Sequence, residues 1–200
     1  MSQTFKKLFL TICLIFLICN VDTLASSKSQ NNFQSIKEYL KNLSTLEASF
    51  IQISGDGEIK KGKIFFNLPG KLRIEYSEPD NLLITSNGFW LTIQDTKLKQ
   101  TNNYPLDRTP LNLFLNKKFN FENNHNIKFN IENEVVTVTF LGIKQQNLSK
   151  FKLQFYLNPL RLKKWVIIDE FQTKTSVTLQ NMKMNIILPN KLFIPDFYNE

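Results

Sequence analysis

Beyond residue 25 the sequence contains no cysteine and a single histidine, His125. The two cysteines of the chain, Cys13 and Cys19, both sit in an N-terminal apolar run. Without thiols downstream there is no disulfide, thiolate nucleophile or cysteine-based metal site. One histidine in an asparagine-rich turn (Asn123-Asn124-His125-Asn126) reads as an exposed loop residue and cannot form a metal-binding cluster. Glycine is scarce, with 6 in the chain, and none are grouped into a phosphate-cradling loop. The one acidic pair, Asp169-Glu170, consists of strand neighbours that point to opposite faces and do not readily share a substrate. Thiol, metal and nucleotide chemistry therefore lack their parts. The expectation is a protein that is not an enzyme and carries no cofactor.

No apolar run is long enough to span a bilayer, which takes roughly 20 helical residues. Leu8 to Cys19 is a run of 12, broken only by Thr11, with Lys6 and Lys7 before it and Asn20 and Asp22 after it. Thr23-Leu24-Ala25 then offers small residues at both positions a signal peptidase reads. This layout predicts a secretory leader over 1–25, cleaved after Ala25, and a single domain over 26–200. Lipidation at either cysteine is not expected, because Ile12 and Ile18 stand where a small residue is needed. The exported domain has no cysteine and must rest on its own core, for which its length is adequate.

Acidic residues are the minority, 17 against 25 Lys and Arg, and the net charge is +8. The leader carries +1 of it (Lys6, Lys7, Asp22), leaving +7. A basic balance favours anionic partners, nucleic acid or acidic lipid headgroups. Export argues against nucleic acid; a diffuse lysine-rich solvated face remains the alternative to a membrane-facing role.

Residues 26–31 are polar and read as a frayed start. Asn31 or Asn32 then caps a helix whose apolar stripe is Phe33, Ile36, Leu40 and Leu43. After Leu46 the period changes to two. Strands are predicted at 46–54, 58–67, 71–76, 82–86, 89–94 and 97–101, and again at 127–132, 135–141, 150–157, 160–171 and 174–184. Gly55-Asp56-Gly57, Pro69-Gly70, Pro79-Asp80, Asn87-Gly88, Asn133-Glu134 and Asn158-Pro159 separate them. Between the two groups Thr109-Pro110 opens a short helix with Leu111, Leu113, Phe114 and Leu115, apolar nearly all round and so buried or laid over something apolar. Phe151, Leu153, Phe155 and Leu157 alternate with Lys152, Gln154 and Tyr156, as in a sheet with one wet face and one apolar face. A long twisted sheet tends to curl. The fold class expected is mainly β, an open, strongly curved antiparallel half-barrel with a few short helices. The 18 phenylalanines, 15 of them after Phe5, Phe9 and Phe16, make the interior bulky. An ordinary packed core satisfies the same pattern.

An ordered set of segments now bears on identity: Leu46-Glu-Ala-Ser-Phe50-Ile-Gln52, Gly62-Lys-Ile64, Pro69-Gly-Lys-Leu72-Arg73-Ile74-Glu75-Tyr76, Pro79, Leu82 to Trp90, Asp95, Thr109-Pro110-Leu111 and Trp165-Val-Ile-Ile-Asp169. Together they resemble the periplasmic lipoprotein carrier family, LolA. The resemblance implies a half-barrel of about eleven strands with helices as a lid, and acyl chains of triacylated lipoproteins held between them. It implies as partners an inner-membrane ATP-driven lipoprotein-releasing transporter and an outer-membrane lipoprotein acceptor, with a periplasmic location, no nucleic acid and a monomeric state. Phe65, Leu72, Ile74, Tyr76 and Trp90 are the acyl-chain candidates on this reading, and Ile36, Leu40, Leu111 and Phe114 the lid. Trp165 is equally readable as core. The chain departs from the family at Leu68, where well-studied members carry a lid-contacting Arg before the Pro, so that contact is absent or replaced. Arg73, on the opposite side from Leu72 and Ile74, is expected in a surface ion pair with Glu75 or a neighbour. A binding or sensing protein for another lipid, built on the same half-barrel, stays open as the alternative.

Overall fold

The computed structural model describes residues 21–116, 126–143 and 148–196. The leader's Lys6, Lys7 and apolar run, and His125, lie outside the described residues. The chain divides into two compact units, 1–38 and 39–200.

Helix α1, Val21–Asn42, begins in the first unit and ends in the second. It starts earlier than the cap expected at Asn31 or Asn32 and runs through residues 26–31. No Gly or Pro interrupts 21–42, and Asn31 acts as a helix-interior residue whose carbonyl accepts the Ser35 hydroxyl, 3.0 Å. Gln34 Nε2 donates to Glu38 Oε1, one turn on, at 3.2 Å.

The second unit is one sheet of eleven strands. They are β1 Thr45–Ile53, β2 Ile59–Asn67, β3 Lys71–Tyr76, β4 Leu82–Asn87, β5 Trp90–Asp95, β6 Gln100–Pro105, β7 Ile127–Glu132, β8 Val135–Ile143, β9 Leu148–Leu157, β10 Leu160–Asp169 and β11 Lys174–Met184. Their order is β6-β5-β4-β3-β2-β1-β11-β10-β9-β8-β7. Every neighbouring pair is antiparallel, and β6 and β7 are free edges, so the sheet is open. Two meanders are thus joined where the first strand meets the last.

At three turns the strand ends differ from the sequence expectation for one reason: an Asn or Asp side chain captures backbone amides in the turn. Asn87 Oδ1 accepts from the N–H groups of Phe89 and Trp90 (3.0 and 2.9 Å), so β5 starts at Trp90 rather than Phe89. Asp95 Oδ1 accepts from Lys97 and Leu98 (3.0 and 2.8 Å) and makes 96–99 a turn, moving β6 to Gln100–Pro105. Asp169 Oδ1 accepts from Thr173 N–H at 2.8 Å and ends β10 before Phe171.

Strand alternation and register carry one set of apolar side chains across the whole sheet. Leu46 stands opposite Phe66, Phe66 opposite Leu72, and Leu72 opposite Ser86. In the other meander Val177 stands opposite Trp165, Trp165 opposite Leu153, and Leu153 opposite Val138. This inner face is concave. Phe66 and Trp165 are on β2 and β10, three strand spacings or about 14 Å apart along the sheet, yet their ring centroids lie 6.2 Å apart. Side chains standing on a flat sheet would run parallel and never meet.

The opposite, outer face is treated differently in the two meanders. Over β3 to β5 the chain's own end returns: the 3-10 turn Asn190–Phe193 and the residues after it lie on Arg73, Leu83, Thr85 and Gln94. Gln94 Nε2 donates to the Asp196 carbonyl (2.7 Å) while its Oε1 accepts the Asp196 N–H (2.9 Å). Arg73 Nη1 donates to Leu192 O at 3.3 Å, and its Nε binds Glu75 at 2.6 Å. This terminal arm, which periodicity did not reveal, gives Arg73 a structural job.

Candidate functional site: an apolar cleft on the inner face

The middle of the inner face is stoppered by helix α2, Leu111–Leu115. Five residues cannot hold a helix in water by themselves; packing and one tether hold this one. Phe114 puts its ring 5.0 Å from that of Phe66 and stacks on Trp165 at 6.1 Å, and Leu115 is buried. The tether is the Gly70 N–H, which donates to the Leu115 carbonyl at 2.9 Å. Gly70 has φ +85°, and a Cβ there would meet Gly88 Cα at 2.7 Å, so the turn after Pro69 and the Asn87-Gly88 turn can only pack this closely through glycine. Ser86 Oγ links them, donating to Gly70 O at 2.9 Å and accepting from Gly88 N at 3.2 Å.

Phe66, Leu111, Phe114, Phe151 and Trp165 enclose a cleft of about 10 Å³, the space of a single water. Its lining is almost wholly carbon, so water is not favoured there. At this size the cleft has no room for an alkyl chain while α2 packs against Phe66 and Trp165.

The C-terminal turn of α1 is fixed to the same sheet. Tyr39 sets its ring edge-on to Phe155 at 5.6 Å. Its hydroxyl accepts from the Leu162 N–H (3.2 Å), beside a register shift between Leu162 and Lys164 that frees this amide from the ladder, and donates to Met184 Sδ (2.7 Å). Burial pushes the Tyr39 phenol above its ordinary pKa, with the Leu162 amide opposing. Ser44 N and Oγ both donate to Asn185 Oδ1 (2.9 and 3.0 Å).

Of the residues singled out in the sequence, Leu72, Ile74 and Tyr76 stand on the inner face, with Leu72 fully buried. Tyr76 packs edge-on to Phe50 at 5.2 Å across Gly62, where a Cβ would fall 2.8 Å from the Phe50 ring, and donates to Gln52 Oε1 at 2.9 Å. Leu111 and Phe114 line the cleft; Leu40 is buried in the second unit, whereas Ile36 belongs to the first. Two candidates do not stand on the inner face. Phe65 lies opposite Arg73, on the outer face, because Phe65 and Phe66 are strand neighbours and register gives the inner position to Phe66. Trp90 is 50 % exposed and alternates with Leu91, which holds the inner position opposite Ser86. Phe66, Phe151 and Trp165 were missed as cleft residues; nothing local in sequence shows that β2, β9 and β10 converge.

The family model of the outer membrane lipoprotein carrier protein LolA matches residues 41–196. The chain belongs to this LolA family. LolA proteins are periplasmic carriers that bind lipoproteins as cargo and are not enzymes. Among solved structures, an uncharacterised conserved protein from Thermus thermophilus is 9 % identical with a TM-score of 0.53, over 84 % of this chain and 94 % of that one. The Pseudomonas aeruginosa MucA/MucB complex gives 8 % and 0.51, over 84 % of this chain and 61 % of that one. A LolA superfamily protein from Nitrosomonas europaea gives 12 % and 0.47, over 84 % and 97 %. The first two show a shared fold. No curated protein sequence matches. Among the described residues no helix is long and apolar enough to cross a membrane, and no group of His, Cys, Asp or Glu is placed to hold a metal ion.

Proposed function

We propose that this LolA family member is exported with cleavage after Ala25 and binds the acyl chains of triacylated lipoproteins on its inner face. It takes them from an inner-membrane ATP-driven transporter and passes them to an outer-membrane acceptor. The observation that carries the reading is the cleft itself: an aromatic concave face closed by a five-residue helix with one backbone tether. Each methylene hidden from water is worth roughly 0.8 kcal/mol, so long acyl chains have ample driving force to displace Phe114 from Phe66 and Trp165. Lining that attracts without direction accepts differing chains, and the Phe114 plug, returning, competes with the cargo and favours its release. Gly70 does at the strand turn what the Arg before Pro does in relatives: with Leu68 in that place, the backbone N–H of Gly70 holds the lid helix.

The test is native mass spectrometry of tagged protein recovered gently from a periplasm that also makes triacylated lipoproteins. A one-to-one complex that dissociates into carrier and lipoprotein is the expected result. Free phospholipid as the sole guest would replace lipoprotein by another lipid on the same site, and a bare protein would overturn the reading.

A further inference from the structure

The outer face of the second meander is strongly basic. Lys128 of β7, Lys150 and Lys152 of β9, Lys164 of β10 and Lys174 of β11 all stand on it, since their strand neighbours Phe129, Phe151, Leu153, Trp165 and Thr175 take the inner side. Register sets their spacing. Lys128 lies across from Thr139, Thr139 from Lys152, and Lys152 from Val166, while Lys150 and Lys174 flank Ile168 on either side. With strands about 4.8 Å apart and alternate residues about 6.7 Å apart, all five fall within about 20 Å of one another.

Thr137, Thr139, Gln154, Ser176 and Thr178, with Leu141, Val166 and Ile168, fill the positions around and between them, and none is acidic. Among the described residues of this meander carboxylates appear only at the borders, Glu132 and Glu134 at one end and Asp169 and Glu170 at the other. Among the described residues none of the five lysines has an ion-pair partner. Next to Glu132 and Glu134, Arg161 and Lys163 both sit over the Tyr156 ring, each 4.7 Å from its centroid. Partial burial and then the charges of Lys163 and Lys174 hold the Lys164 ammonium below its ordinary pKa. Val166 is only 4 % exposed although it is on this face.

We propose that this lysine face is a docking surface for an anionic phospholipid membrane. Three features select a bilayer over an acidic protein. The central charges are lysines, point charges that attract without fixing geometry, rather than the arginines that grip a carboxylate in a two-pronged fit. Between them the surface is Thr, Ser and Gln with the aliphatic Leu141, Val166 and Ile168, and it has no aromatic anchor at the centre of the kind that dominates protein interfaces. Charges spread over a broad sheet match a headgroup layer, where each lysine near the surface contributes roughly fivefold to partitioning. The cleft opens on the opposite side of the sheet, so docking sets how long the protein stays at a membrane and leaves its affinity for a guest unchanged.

The test is cosedimentation of protein recovered from the envelope of expressing cells, its N-terminus fixed by intact mass, with phosphatidylcholine vesicles made with and without phosphatidylglycerol. Binding is expected only to the anionic vesicles and is lost at high salt. Lys150→Gln/Lys152→Gln lowers it by about tenfold or more. Lys97→Gln/Lys99→Gln, which removes the same charge from the β5–β6 turn, leaves it within about twofold. Equal loss in the two pairs would reduce the effect to net charge and overturn the proposal, as would equal binding to neutral vesicles or none to anionic ones. Matching melting curves for both pairs exclude a folding defect, and none of these outcomes depends on whether lipoprotein is the guest.

Discussion

The two meanders share an inner face and differ on the other side. Over β3 to β5 the outer face is roofed by residues 190–196, and polar Thr85 and Gln94 are among the most buried side chains in the molecule. Over β7 to β11 the same face carries lysines in water. One half therefore has two layers over β3 to β5; the other, which supplies Phe151 and Trp165 to the cleft, keeps a basic outer face. Alternation in a strand reports a wet side only where no later segment comes back to cover it.

That contrast is open to direct attack. The largest effect is expected inside: Phe66→Ala removes a ring that touches both Phe114 and Trp165, and equilibrium unfolding in denaturant should show a loss of about 3 to 5 kcal/mol. Phe65→Ala, one residue away on the outer face, should lose clearly less. Gly70→Ala is next. It demands a left-handed conformation and a shift of Gly88, at about 1 to 3 kcal/mol, and it loosens α2, so guest exchange should quicken in stopped-flow mixing. Under the arm, Gln94→Ala breaks both bonds to Asp196, for a loss of about 1 to 2 kcal/mol, and proteolysis of the last ten or so residues should accelerate. Thr85 has a fully buried hydroxyl with no hydrogen-bond partner among the described residues. Thr85→Val should accordingly raise the melting temperature, by a stabilisation of about 1 kcal/mol. Smallest is Lys152→Gln on the open face, within about 0.5 kcal/mol of the parent.

Much of this architecture was legible in the sequence. Period-two runs located ten of the eleven strands, since these bury one side on the inner face, and Thr109-Pro110 with the dense apolar cluster after it located α2; β6, exposed along nearly its whole length, was expected three residues too early. Three ends shifted because Asn87, Asp95 and Asp169 act through side-chain bonds to amides that hydrophobic periodicity does not register. The cleft was only half legible. Leu72, Ile74 and Tyr76 follow from alternation once β3 is placed, but choosing between Phe65 and Phe66 needs the β2–β3 register, and bringing Trp165 to Phe66 needs the curvature of four strands. The arm was invisible for a similar reason: nothing in Asn190 to Asp196 is periodic, and its anchors, Arg73 and Gln94, read as ordinary outward polar residues.

The central claim, that the guest lies against the concave face, is tested most directly through the two tryptophans, which occupy opposite sides of the sheet. With Trp90→Phe, the sole tryptophan, excited selectively, is Trp165 in the cleft; with Trp165→Phe, it is half-exposed Trp90. A triacylated lipopeptide with brominated acyl chains, which quench on contact, is titrated into each. Strong quenching of Trp165 with Trp90 unaffected is the predicted result. Quenching of Trp90 while Trp165 stays bright would place the chains on the outer surface and contradict the account.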